Sequence, residues 1–386
     1  MDSKIKNLGK TFIRRSSVQG GTEKYLLDKL YQDLKQENLS FVLLFVSPKF
    51  ASEFFAKKIK EYFPDVPVIG CTTAGEITPK GYEHDSVTGI SFAAPEFYAA
   101  VRGIPDVTNF SVSDGRELVH GCLQDLKAKQ PDLTMDRIFG MLLIDGLDAC
   151  EETVVSAVYR ELGQIPLFGG SAGDELSFAD TKVLWGGAFS NHSAALALIA
   201  TDRPFRVFKT EHFGNSEKKM VVTGADPLKR IVFEINAEPA AEEYARMIGV
   251  DIRQLTPMIF ANYPVVVRVG DVPYVRSIQK VNDDGSLTFY CAIDEGIVLT
   301  VATGLDIELD LERLFASIRE DIGEPEIIIG CDCILRNLEL RKKGKLQGVS
   351  KLMAKNNVIG FNTYGEQYQA MHVNHTFTGV AIGRRN

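Results

Sequence analysis

The sequence predicts an α/β to α+β protein of two related domains, residues 25–215 and 216–386, each a mixed β-sheet covered by helices. Three observations carry that expectation. Apolar runs of strand length alternate with segments in which apolar residues recur every three or four positions. The chain is 386 residues long, more than a single hydrophobic core usually fills. It also nearly quotes itself: Val68-Ile69-Gly70-Cys71-Thr72-Thr73-Ala74-Gly75-Glu76 returns as Val358-Ile359-Gly360-Phe361-Asn362-Thr363-Tyr364-Gly365-Glu366, with six of nine positions identical at an offset of 290. The same offset lays Thr88-Gly89-Ile90 over Thr378-Gly379-Val380. A weaker third version is Phe168-Gly169-Gly170-Ser171-Ala172-Gly173-Asp174. Each copy reads as strand, tight glycine loop and strand, and repeated loops often meet across a shared core.

In chain order, Phe41–Val46 is a buried-strand run, and Pro48 is placed to open a helix carrying Phe50, Phe54, Phe55, Ile59 and Phe63 on one stripe. Val66–Ile69 delivers the first glycine loop, and strands follow at Val87–Phe92 and Phe97–Val101. Residues 114–129 have Leu118, Cys122 and Leu126 at helical spacing. Ile138–Ile144 is a strand and 150–162 a helix, with Asp148 suited to its N-cap and Glu151 to the capping-box acid. From 181 to about 235 short strands joined by turns suggest a meander. Residues 238–248 form a helix ended by Gly249. Strands at 264–269, 274–280 and 286–292 follow, the last two joined by an Asp283-Asp284-Gly285 turn. Helices over Leu309–Asp321 and 346–355, a strand at Glu326–Ile329 and the terminal strand Phe377–Ile382 complete the pattern. The domain junction falls around 200–225.

Composition narrows function. The chain is 45% apolar and 24% charged with a net charge of -8, as in an ordinary soluble protein. That balance argues against nucleic-acid binding, which favours a basic face. The longest apolar runs are far shorter than a membrane span, and Met1–Thr22 lacks the apolar core of a secretion signal. Six cysteines in so long a chain are not a disulfide framework, so a reducing cytoplasm is expected.

The glycine loops are the first candidate site. Gly75 and Gly365 precede Glu76 and Glu366, where a glycine can take positive φ or let a ligand near the backbone. The other reading is a structural turn whose carboxylate accepts N–H bonds. No phosphate-cradling glycine motif is present. His372-Val373-Asn374-His375 places two histidines beside the last strand, and Asn191-His192-Ser193 echoes Asn374-His375-Thr376. A histidine at a strand entrance can ligate a metal or haem iron, or serve as a hydrogen-bonded structural residue. Cys331-Asp332-Cys333 lacks the second pair a structural zinc needs. Cys71, matched by Phe361 in the repeat, suggests core packing. No nucleophile, base and orienter occur at recognisable spacing, so the sequence predicts no enzyme.

These motifs, in this order, resemble the FIST family, whose members carry an N-terminal and a C-terminal FIST domain; the likeness runs from about residue 25 to 383. The resemblance implies an intracellular sensory module that binds a small ligand. Stand-alone chains of this size are similar to the NosP group, which implies haem as cofactor, nitric oxide as signal and a separate partner such as a histidine kinase. His372, His375 and His192 are the carried-over candidates for the iron ligand. Thr72, Thr73, Gly75 and Glu76, with Asn362, Thr363, Tyr364, Gly365, Glu366 and Asn374, are the candidate ligand-binding residues. The alternatives are a non-haem sensor of an amino acid or similar metabolite and a signalling scaffold without a ligand. Homodimerisation stays open.

Overall fold

Three runs of chain follow one plan: an opening strand, a helix, a central strand, one or two further helices, a glycine-bearing strand, a hairpin and a closing strand. The computed structural model describes residues 11–269 and 272–385, so the first part of the N-terminal stretch judged above lies outside the described residues. The first unit has opening, central, glycine and closing strands at Ile13–Gln19, Leu39–Val46, Val68–Thr72 and Ser86–Ala93, with its hairpin at Glu76–Thr78 and Gly81–Glu83. The second has the same strands at Phe97–Ile104, Ile138–Ile144, Leu167–Ser171 and Ala194–Thr201, with a hairpin at Val183–Trp185 and Ala188–Ser190. The third has Phe205–Glu211, Pro325–Cys333, Val358–Thr363 and Thr376–Gly383, with a hairpin at Glu366–Tyr368 and Met371–Val373.

In each sheet the closing strand lies antiparallel between the opening and central strands, and the central strand runs parallel to the glycine strand. The fifth and sixth strands come from another unit. The second unit's hairpin completes the first sheet, the third unit's the second, and the first unit's the third. Gly70, Gly169 and Gly360 share a register position because a Cβ there would lie 2.3, 2.0 and 1.8 Å from the carbonyl oxygens of Leu44, Leu142 and Gly330. The repeated glycine thus answers a backbone approach within the sheet.

The inner faces of the three sheets meet on one core, where Phe45 stacks on Phe361 at 4.6 Å and Cys71 and Cys331 are fully buried. Burying each such aromatic contributes roughly 1.5–3 kcal/mol. Helices cover the outer faces. Glu23–Leu34, capped by Thr22, turns Leu26, Leu27, Leu30 and Leu34 inward, and Val112–Lys129 and Ile307–Ile322 do the same for the other two sheets. Between the third unit's opening strand and its first helix lies an inserted eight-stranded sheet, from Phe213–Asp226 to Val298–Gly304, with its own core around Tyr244 and Phe260.

Mixed sheets covered by helices are therefore the architecture, as the sequence predicts. Three local expectations change. The strands of 181–235 form no meander but are dealt out to all four sheets, because each hairpin leaves its own unit. Asp148 does not cap the helix Glu151–Leu162: Cys150 holds that position without a side-chain bond, while Asp148 pairs with His192. Pro48 opens only a 3-10 turn, and Ser52 caps the helix Glu53–Tyr62. Among the described residues no helix is long and apolar enough to cross a membrane.

Candidate functional site

The three glycine loops converge at the carboxyl ends of the parallel strands and are laced together by backbone bonds. Ala74 N–H donates to Asn362 O at 2.9 Å and Asn362 N–H to Gly75 O at 2.7 Å; Gly173 N–H donates to Thr72 O at 3.0 Å; Ser171 N–H donates to Gly365 O at 2.8 Å. Within this ring the two repeated acids have matching partners. Glu76 accepts from the Thr73 hydroxyl at 2.5 Å and from the Ser86 hydroxyl and N–H at 2.8 and 3.2 Å. Glu366 accepts from the Thr363 hydroxyl and from the Thr376 hydroxyl and N–H at 2.7 and 3.2 Å. Both carboxyls close their own hairpins. Burial pushes Glu76 up to about 7 and Glu366 up to about 8 in spite of those donors.

The remaining candidates sort by partner. Thr72 accepts from Lys182 N–H at 2.9 Å, and Asn362 bridges Asp332 O and Asn337 at 3.1 and 3.2 Å. Tyr364 donates to Asp174, whose carboxylate also receives the N–H groups of Phe178, Ala179 and Asp180. Gly75 has φ +130°, while Gly365 is needed for space: a Cβ there would lie 2.2 Å from His372 Cε1.

Beyond the two glutamates the copies diverge. In the first, the Tyr82 hydroxyl donates to Asp332 at 2.5 Å and His84 bonds to Arg341. In the second, the equivalent residues are His372 and Asn374, and His372 Nε2 and Asn374 Oδ1 are buried without a hydrogen-bond partner among the described residues. Glu151 Oε1 lies 3.8 Å from His372 Nε2, beyond hydrogen-bond reach. Gln367 Oε1, Arg276 Nε and Ser277 Oγ are likewise buried and unpartnered. Arg276 Nη1 reaches His372 O at 3.5 Å, and Gln367 Nε2 donates to Ser171 at 3.0 Å. His372, Gln367, Asn374 and Arg276 meet in a seam between the inserted sheet and the second and third units.

The insert is clamped over this seam. Arg230, 6% exposed, donates to Glu151 at 2.7 Å, to Glu152, and to Tyr290 O at 2.5 Å. Tyr290 and Tyr364 both pack on Phe178. The chain enters and leaves the insert beside His212, whose carbonyl accepts from Leu305 N–H at 2.7 Å. Arg336 donates to His212 Nδ1 at 2.8 Å, so Nε2 carries the proton toward Glu339 at 2.8 Å.

The three singled-out histidines separate. His372 belongs to the seam. His375 is fully buried beside Phe213 with both ring nitrogens unpartnered, and burial pulls it down to about 3. His192 is exposed and bound to Asp148 at 2.6 Å, which raises its pKa. The echo between His192 and His375 is a backbone one: both, like Asp85, take positive φ (52°, 55° and 53°) just before a closing strand. Arg230, Arg276 and Ser277 were not singled out from sequence; the only signal was a charged residue inside the apolar run Val272–Ile278.

Residues 40–238 match the FIST N domain and residues 240–369 the FIST C domain. The chain belongs to the FIST family. FIST domains are signalling sensor domains that bind small ligands, usually within multidomain signalling proteins. No curated protein sequence matches the chain. Among solved structures it is similar to cyanuric acid hydrolase from A. caulinodans, at 9% identity and a TM-score of 0.36, covering 97% of this chain and 99% of that one. A second cyanuric acid hydrolase structure, described as an evolutionary innovation by structural concatenation, matches at 8% identity and a TM-score of 0.38, covering 96% and 99%. Both of these neighbours are enzymes, so the expectation that the chain is no enzyme is withdrawn, and a likeness at this level assigns the chain no activity. The expectation rested on the absence of a contiguous catalytic motif.

Proposed function

We propose that the protein senses a small polar ligand of amino-acid size, carrying a carboxylate, in the seam beneath the inserted sheet. It reports occupancy to a separate signalling protein such as a histidine kinase. The observation that carries this reading is the cluster of buried unpartnered atoms: Arg276 Nε as donor, Gln367 Oε1 and Asn374 Oδ1 as acceptors, and His372 Nε2 as either. Each unpaired buried polar group costs about 1–3 kcal/mol, so the seam favours an occupant with both acceptor and donor ends. Such a ligand would tie Arg276 of the insert to the loops of the body, shifting the insert toward its clamped position. The six cysteines are free, in keeping with the reducing cytoplasm in which we place the protein.

Calorimetric titration with a panel of amino acids and dicarboxylates tests the reading. One member should bind saturably and raise the melting temperature. Arg276→Met should weaken that binding at least a hundredfold while leaving the fold intact. No binding across the panel, or wild-type affinity in Arg276→Met, would overturn it.

Haem is the more specific ligand implied by the resemblance, and the three histidines as arranged do not fit it. A porphyrin needs an apolar slot beside its axial ligand. His372 is set among Gln367, Glu151 and Arg276, and His375 lies near Arg336, His212 and Glu339. The broad groove described below is lined by none of the three. A Soret band in protein purified from haem-supplemented cells, lost on substituting His372 or His375, would replace the present reading with a haem sensor of nitric oxide.

A further inference from the structure

A groove of about 790 Å³ opens between the first and second units, within the size range of small-molecule sites. Its walls are stiff and apolar: Phe63, Pro64, Pro67, Pro105, Phe110 and Trp185. The groove marks a break in the threefold plan. Against the closing strands, Gly103 occupies the register position held by Ser17 and Lys209 in the other two units. A Cβ at Gly103 would lie 2.2 Å from the Trp185 indole, so the indole lies against bare backbone that a side chain would occupy in either other unit.

The rim is acidic. Asp106, Asp114 and Glu117 line it with Lys60 and Arg102, and Arg102 is already paired with Asp125 at 3.0 Å. Hydrogen bonds from Thr108 and Asn109 hold Asp106 down to about 2, and bonds from Ser111 lower Asp114, so both are charged at neutral pH. An apolar floor under a net negative rim complements an amphipathic cation.

We propose that this groove binds a small organic amine with an aromatic or branched apolar body, seated on Trp185 with its ammonium toward Glu117, Asp106 and Asp114. The site is separate from the seam and does not depend on the ligand assigned there.

Trp185 is the chain's single tryptophan, so its emission reports on the groove directly. The full chain is titrated with phenethylamine, its neutral analogue 2-phenylethanol and the anion 3-phenylpropionate, followed by Trp185 emission and by saturation-transfer NMR. The amine should bind saturably, at least tenfold more tightly than the alcohol, with the anion weakest. The exposed-site variant Glu117→Lys should weaken the amine fivefold or more with an unchanged melting temperature, and Arg276→Met should leave amine binding as in wild type. Absence of saturable binding by both methods overturns the proposal, as does equal or tighter binding of the alcohol or the anion.

Discussion

The hairpins led by Glu76 and Glu366 are copies of one another, yet their tips meet different fates. In the first copy Tyr82 and His84 find Asp332 and Arg341. In the second, His372 Nε2 and Asn374 Oδ1, 290 positions later, find no hydrogen-bond partner among the described residues. The carboxylate clamp is the shared structural device, and the unsatisfied rim beyond it distinguishes the second copy. A motif repeated for folding reasons has been left incomplete in one copy, and that copy faces the inserted sheet.

The comparison can be broken first at the clamps. Glu366→Ala and Glu76→Ala should each destabilise the protein by about 3–4 kcal/mol, since each leaves three buried donors unpaired. Urea denaturation should give similar losses for both; a negligible loss at either site would refute the shared role.

The pH dependence follows with an effect of comparable size. Both glutamates have folded-state values, about 7 and about 8, above the usual 4.5. The folded state therefore holds more protons than the unfolded state between these limits, and stability falls as pH rises from about 4.5 through 8. The contribution is on the order of a few kcal/mol. Glu76→Gln and Glu366→Gln should flatten the profile, and an unchanged slope in the double variant would contradict the assignment.

Smallest, and most diagnostic, is a pair of opposite signs. Tyr82→Phe removes the donor to buried Asp332 and should cost about 1–2 kcal/mol. His372→Phe removes an unpaired polar atom and should be neutral or stabilising by about 1 kcal/mol without ligand, while abolishing ligand-induced stabilisation. Matching losses in both variants would show that the copies do not differ.

Much of this was legible in the chain. The offset of 290 found both clamps, and the core role of Cys71 followed from Phe361 standing in its place. Helical spacing located the helices at Val112–Lys129, Glu151–Leu162 and Leu346–Lys355. The helix Glu23–Leu34 was readable from Thr22 and its leucines but went unassigned. The exchange of hairpins was not readable, because Glu366 pairs with Gly170 across a separation that leaves no periodic trace. Arg276 was silent for the same reason: its significance comes from His372, contributed by another part of the fold.

Because every unit lends its hairpin to a neighbour, the assembly behaves like three interlocked links. A cut between the two family regions near residue 239 would strip Leu167–Ser171 of one of its two partners, Glu366–Tyr368, and leave Glu76–Glu83 without the strand Val358–Thr363. Each fragment would then bear a raw β-edge, so co-expressed halves should reassemble into one particle, whereas either half alone should precipitate.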